Sequence, residues 1–362
     1  MLERLREAES LAARLNDNHR RGLVCALITI AHSQLGELDE ALKFGTLGLE
    51  IAGHLGDLKL RILATSYLGL VHYYRGEYEP VIQLATKNLE ALPANWVYEF
   101  LGASAPASVY DRSWLIQSLA QVGRFADAIE YEAEVLRIAE PTHHPFTIGQ
   151  AHRAAVTLHV LKGDWARART LNEHWISVVR TGNVVIQLPW AISSSAWVLA
   201  QLGETSAALD RLREGEVLLA RQASRELVVT SGWDYHALGR AHLLLGRLDD
   251  ARRLCELAVE YSSHQHAYAA HGLHLLGDIA THPDRFDAEC GEAHYRKALI
   301  LAERQGMRPL VAHCRLGLWK VYRRMGKNEE AEELYATATA MYHEMDMRFW
   351  EKRAEVEIAT PA

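Results

Sequence analysis

Proline is scarce in this chain, 9 of 362 residues, so long stretches can run as helix without interruption. Cysteine is scarcer: Cys25, Cys255, Cys290 and Cys314 lie far apart, and none forms a C-x-x-C pair. Four such thiols argue against a disulfide framework and fit a reducing cytoplasm. There is no basic excess. The net charge is −7 and the pI is near 6.3, which counts against a nucleic-acid partner, because phosphate contacts need a basic surface. Acidic and basic residues are interspersed, with no long single-sign block. The most apolar run, residues 23–31, is too short to span a bilayer. Glu3, Arg4, Arg6 and Glu7 leave no apolar signal-peptide stretch at the start. A cytoplasmic protein without a membrane or nucleic-acid partner is expected.

What is present is a repeat. Gly, any residue, a bulky residue, two residues and Ala recur as Gly36-Glu-Leu38-Asp-Glu-Ala41, at Gly123 with Phe125 and Ala128, at Gly163 with Trp165 and Ala168, and at Gly246 with Leu248 and Ala251. Weaker copies are Gly76 with Tyr78 and Val81, Gly203 with Thr205 and Ala208, and Gly326 with Asn328 and Ala331. Ala holds the last position in six of the seven copies, which chance placement of a common residue does not explain. The spacings are 40, 47, 40, 40, 43 and 80 residues, the last being two periods. The degenerate copy between them is Asp284-Arg-Phe286, with its Ala delayed to Ala293.

The motif has a physical reading. Gly ends one helix in the left-handed conformation. The bulky residue packs back between two helices, and Ala lets the second approach the first. Such a hairpin cannot bury its own apolar face, so neighbours must stack and bury it jointly. The expected fold is all-α: a right-handed α-solenoid of tetratricopeptide-like hairpins. First helices are predicted near 20–35, 58–75, 108–122, 145–162, 187–202, 226–245, 266–280 and 308–325. Second helices are predicted near 38–55, 78–91, 125–140, 165–180, 205–222, 248–262, 287–305 and 328–344. Residues 1–362 read as one superhelical domain: a half-repeat at 1–16, eight hairpins over 17–345, and a charged capping helix near 347–358 within the end segment 346–362. The helix at 2–15 matches the second half of a hairpin, so the chain is expected to be a piece of a longer array. The long spacing reflects an insertion at 93–107, rich in Pro, Gly and small residues, which is either functional or a surface excursion.

Residues 307–327 (MRPLVAHCRLGLWKVYRRMGK) and 329–350 (EEAEELYATATAMYHEMDMRFW) resemble the C-terminal end of large bacterial proteins that join a class III nucleotide cyclase, a STAND-like AAA ATPase and a tetratricopeptide array. Ser108 to Leu115, running on to Gly123-Arg-Phe125, and His144-Pro145-Phe146-Thr147 look like middle parts of the same arrays. The resemblance covers most of the chain. No G-x-x-x-x-G-K-[ST] loop occurs, so it implies the regulatory or sensor part, with upstream ATPase or cyclase domains as partners in a longer chain. Similar arrays of the maltose-regulon activator type bind a small inducer, which keeps a small-molecule effector beside a peptide or protein as the expected ligand.

The resemblance also implies that first helices line the concave surface, at positions 13, 10 and 6 before each turn Gly. These are Tyr110, Ser113 and Gln117, then Gln150 and Arg153, then Trp190, Ser193 and Trp197. Trp233, His236 and Arg240 follow, then His271, His274 and Asp278, and finally His313 and Lys320. The first repeat offers only Leu23, Ala26 and Ile30. Aromatic rings with Arg and His are what binding surfaces concentrate, though tryptophans can equally pack between hairpins.

Catalytic and metal signals are weak. His264, His266, His271, His274 and His282 cluster, and His271 and His274 share a helix face, but only Asp278 stands near enough to add a ligand. His32, His72, His159 and His242 each stand four residues before a turn Gly, a register that marks packing or donation to a helix-end carbonyl. His143-His144-Pro145 opens a helix. Ser193-Ser194-Ser195 lacks a G-x-S-x-G context, and Asp249-Asp250 and Glu329-Glu330 fall in first turns, where negative charge is stabilising. The chain is therefore expected to be no enzyme, with no cofactor and no metal, and to bind a ligand in its groove. The alternatives are a self-association scaffold and, less favoured, a histidine-based metal protein or enzyme.

Overall fold

The computed structural model describes residues 1–224 and 228–359. Among them are eighteen α-helices and no strand. After α1 (Leu2–Arg14) the helices pair as hairpins: α2 (Asn18–Gln34) with α3 (Leu38–Leu55), α4 (Leu58–Arg75) with α5 (Tyr78–Ala91), and α6 (Ala107–Gln121) with α7 (Phe125–Ala139). Next come α8 (Pro145–Lys162) with α9 (Trp165–Thr181), α10 (Leu188–Gln201) with α11 (Thr205–Ala223), and α12 (Ser231–Leu244) with α13 (Leu248–Glu260). The last pairs are α14 (His266–Ala280) with α15 (Ala288–Arg304) and α16 (Arg308–Arg324) with α17 (Asn328–Glu344), followed by α18 (Arg348–Ala359). This is an α-solenoid. No helix among the described residues is long and apolar enough to cross a membrane. The helix predicted over 226–245 begins at Ser231; its first two positions, and residues 360–362 of the end segment, lie outside the described residues.

The turn chemistry follows the motif. Gly36, Gly76, Gly123, Gly163, Gly203, Gly246 and Gly326 all take positive φ, where a side chain would be strained. The bulky residues Leu38, Phe125, Trp165 and Leu248 are buried, as are Ala41, Ala128, Ala168 and Ala251. Between hairpins the sequence motif is silent, yet the same left-handed turn is made by Asn16, Gly56, His143, Asn183, Gly306 and Asp346. Asn and Asp tolerate that region better than other side chains. Asp17, Asp57, Asp164 and Asp287 cap helix starts by accepting from the backbone amides of Arg20, Leu60, Arg167 and Cys290.

Burial divides the two helices of each pair. In α8 every residue from Thr147 to Leu161 is buried, and in α10 every residue from Pro189 to Ala200. Such helices are enclosed on all sides. Their partners α7, α9 and α11 bury one stripe only. The inner helices are enclosed because the superhelix closes on itself. Helix α4 meets α14 and α6 meets α16. The His271 Nε2–H donates to the Gln121 side-chain oxygen across this seam at 3.2 Å. Three glycine turns press on the far end of the chain: a Cβ at Gly76 would meet Ala267, at Gly123 Met345, and at Gly163 Trp350. The same turns at Gly203, Gly246 and Gly326 have nothing nearby.

The 93–107 insertion folds back on its neighbours. The Ser108 hydroxyl donates to the Val97 carbonyl, Lys59 lies over the Trp96 ring, and Phe100 sets its ring edge against His144.

Candidate functional site

The expected groove positions do not line one open groove. Tyr110, Ser113, Gln117, Gln150, Arg153, Trp190, Ser193, Trp197, Trp233, His236, His271 and His274 are buried. Arg240, Asp278, His313 and Lys320 are half-buried. Over α6, α8 and the start of α10 the concave face is closed by the opposite wall of the superhelix. There Ser113 and Ser193 donate to Val109 and Pro189, and Gln117 donates to Ser113, at 2.7, 2.8 and 2.9 Å. These bonds stay within their own helices, so those three side chains present little to a ligand.

What remains open is a cavity of about 580 Å³ toward the C-terminal end. It brings together Trp197, His236, Arg240, His271, His274, Asp278, His313 and Lys320 from four successive inner helices. It also takes residues absent from the expected groove: Phe286, Trp319, Arg323, Arg324, Tyr342, Trp350, Arg353 and Glu357. Trp350, Arg353 and Glu357 stand three and seven positions apart, so they form one stripe of α18. That stripe was readable in the sequence; what hid it was reading α18 as a charged cap.

The inner wall is a polar network. Arg240 donates to Asp278, to His274 Nδ1 at 2.5 Å and to His236 Nε2 at 3.4 Å. The Tyr295 hydroxyl donates to Asp278 at 2.7 Å. His313 and the Tyr342 hydroxyl are 2.7 Å apart, and the His313 ring lies 4.5 Å from Trp350. Burial alone would raise the Asp278 carboxyl; His274, Arg240 and Lys320 outweigh it and hold Asp278 below the usual carboxylate range. Burial, helped by the Arg240 charge, pushes His271 down to about 3. Burial also takes His274 down to about 4, against the pull of Asp278, and lowers His236 and His313 well below their ordinary value.

Charge is unevenly placed. Five cations line the cavity, Arg240, Lys320, Arg323, Arg324 and Arg353, against two carboxylates, Asp278 and Glu357. Glu357 is shared by Lys320 at 2.7 Å and Arg353 at 3.2 Å. Arg324, Arg323 and Arg353 lie over Phe286, Trp319 and Trp350. A chain of net charge −7 thus holds a cationic, aromatic cavity.

The histidines sort themselves by partner. The in-register rings pair with carboxylates rather than helix-end carbonyls: His32 with Glu37, His72 with Glu77, His159 with Glu132, and His242 with Glu216. The packing reading holds, with the acid supplied by the turn or by the preceding outer helix. In the 264–282 cluster, His271 is taken by Gln121, His274 by Arg240, and His282 by the Asp284 amide. Among the described residues, the groups close enough to hold a metal ion are elsewhere: Glu140, His152 and His174. His152 and His174 Nε2 lie 2.7 and 3.3 Å from one oxygen of Glu140, a spacing that hydrogen bonds to the carboxylate explain.

No family model matches the chain, and no curated protein matches it in sequence. Its fold is similar to solved structures. A Rap protein complexed with competence and sporulation factor is 12% identical with TM-score 0.59, over 93% of this chain and 98% of that one. The apo form of RapI is 13% identical with TM-score 0.56, over 78% of this chain and 97% of that one. A signal transduction ATPase with numerous domains and a tetratricopeptide repeat sensor, from Pyrococcus horikoshii, is 12% identical with TM-score 0.50. That match covers 93% of this chain and 50% of the ATPase. At such identities the likeness establishes the fold, a tetratricopeptide-type helical array.

Proposed function

We propose that this chain is a non-catalytic sensor module that binds a small effector, or a short stretch of a peptide or protein, in the cavity at the C-terminal end of its superhelix. The cavity carries the reading. About 580 Å³ lies within the range of ligand sites and is too small for a folded partner. Its lining combines indole rings with fixed polar groups, as ligand sites do. The neighbours add support: a Rap protein of similar fold is complexed with competence and sporulation factor, and the similar array in the STAND ATPase is described as a sensor. By the same analogy this module is the regulatory part of a larger signalling ATPase or cyclase. The closing seam supports treating 1–362 as one superhelical unit.

The structure suggests how occupancy is reported. His271 lines the cavity and also bonds Gln121 across the seam. A ligand that moves His271 biases the closure, and a partner domain reads the changed curvature. Native mass spectrometry of the purified chain, followed by denaturing extraction, tests the site: one bound species per chain is expected, and K320A/R324A loses it. Occupancy unchanged in that double variant overturns the placement.

A further inference from the structure

Arg153 lies outside the lining of the proposed cavity. Its guanidinium is buried in the closed part of the superhelix. It is sandwiched between the rings of Trp114 and Trp190, 4.2 and 4.8 Å from their centroids. Among the described residues it makes no ion pair of 4 Å or less, and its Nε and Nη2 have no acceptor. The Trp190 indole N–H and the Gln150 amide, one turn away on α8, are buried donors without acceptors too. The carboxyl most coupled to Arg153 is Asp234, and burial pushes that carboxyl up to about 7. It is therefore a weak counter-ion at neutral pH, and its Oδ1 is itself unpartnered.

A buried guanidinium flanked by unsatisfied donors is costly unless an anion completes it. Cation–π contacts recover only part of that cost. Packed rings separate the box from the cavity, so a ligand group reaches Arg153 only if they swing aside. Trp190 lies against Trp233 at 6.0 Å, and Trp233 against His236 and His271 at 5.5 and 5.3 Å. Those two histidines are the inner wall of the cavity.

We infer that Arg153 receives an anionic group of the effector, so that the ligand is a carboxylate-bearing molecule whose charged end reaches past the cavity wall into the Trp114–Trp190 box. This rests on the cavity being the binding site and names the ligand's chemistry. Arg, rather than Lys, is the residue for such a role, since its planar fork holds a carboxylate while its faces stack on indoles.

The test uses sodium benzoate as probe and benzamide as its uncharged counterpart, read by thermal shift and tryptophan fluorescence on the full chain. Benzoate is expected to bind saturably and raise Tm in the wild type, and to bind more tightly than benzamide. R153M should weaken benzoate binding by more than about thirtyfold while the ligand-free Tm stays level or rises, because an uncompensated buried charge has been removed. R153K keeps the charge without the fork and is expected to fold and bind benzoate more than about tenfold less tightly. Equal benzoate affinity in R153K and wild type overturns the assignment, as does wild-type binding no tighter for benzoate than for benzamide. A bound species retained by R153M but lost in K320A/R324A would leave the cavity standing and remove Arg153 alone.

Discussion

Lys162 and Asp346, 184 positions apart, meet where the superhelix closes: the Lys162 ammonium donates to both the backbone carbonyl and the carboxylate of Asp346 at 2.8 Å. Asp346 occupies the left-handed turn between α17 and α18, and Lys162 is the last residue of α8. The pair is half open to water, so its own energy is small. Its location is informative, because the neighbouring Gly163 turn packs on Trp350, a residue of the cavity wall.

Gly163→Ala should therefore destabilise more than Gly203→Ala. Both place a side chain at positive φ, which costs roughly 1 kcal/mol. Only at Gly163 does the new methyl also strike a neighbour, with Trp350 Nε1 at 2.8 Å and Phe349 Cβ at 3.1 Å, adding about 1 kcal/mol or more. Urea unfolding of the two variants reads the difference, and small-angle scattering should show a larger radius for Gly163→Ala alone. Equal losses would mean that the seam is not under compression.

Stability should fall as pH drops from about 6.5 toward 4. His271, with a folded-state value of about 3, and His274, at about 4, are largely neutral in the folded chain above pH 5, and burial lowers His236 and His313 as well. The unfolded chain takes up protons at their ordinary value, so protonation favours unfolding across that window. Asp111 and Asp234, both held up to about 7, act in the opposite sense. The imidazoles outnumber the two carboxyls, so the net slope keeps the sign set by the histidines. Urea midpoints at pH 7, 6 and 5 measure it; a flat profile would contradict the burial of these rings.

Asp278→Ala should cost about 3 kcal/mol, because it strands Arg240 with no carboxylate in a largely buried site. Tyr295→Phe removes one hydrogen bond to the same carboxylate and should cost roughly 1–2 kcal/mol. Thermal denaturation ranks the two, and the reverse order would show that the hydroxyl rather than the ion pair organises the cavity wall.

Asp111→Asn should stabilise the chain at neutral pH. Asn88 donates to Asp111, to Ser66 and to the Ile62 carbonyl at 2.9, 3.2 and 3.0 Å, and an amide oxygen can accept the first of these bonds as a carboxylate does. Burial raises Asp111 to about 7, so its ionised form is unfavourable in the fold. The variant should gain about 1–3 kcal/mol at pH 7.5 and little at pH 4.5, where the carboxyl is already protonated. Chemical denaturation at the two pH values decides it.

The hairpins were legible because their signal is local. Gly163 with Trp165 and Ala168 specifies a turn through steric rules that need no distant partner, and the helices predicted at 38–55, 58–75 and 145–162 are observed within one residue of those limits. The degenerate repeat between α14 and α15 was legible from the period, but its residues were not: Asp284 lies in a 3-10 turn without positive φ, Ala293 is exposed, and Gly291 is buried instead. Less visible were the turns at Asn183 and Asp346, whose residue types permit the left-handed region without announcing it. Trp350, Arg353 and Glu357 were missed as a face, since a stripe of mixed charge looks like a solvated helix until the wall opposite it is known.

The repeat and the all-helical class follow from the sequence by itself, because each depends on residues within one or two turns of helix; the groove register of Trp197, His236 and His274 came from the resemblance to other arrays. Whether that register lines an open groove depends on how far the small rotation from hairpin to hairpin accumulates. Only the tertiary structure decided that. It brings Gln121 to His271 and Lys162 to Asp346, closes the channel over Arg153, and leaves the cavity where α18 and the inner helices from α10 to α16 face one another.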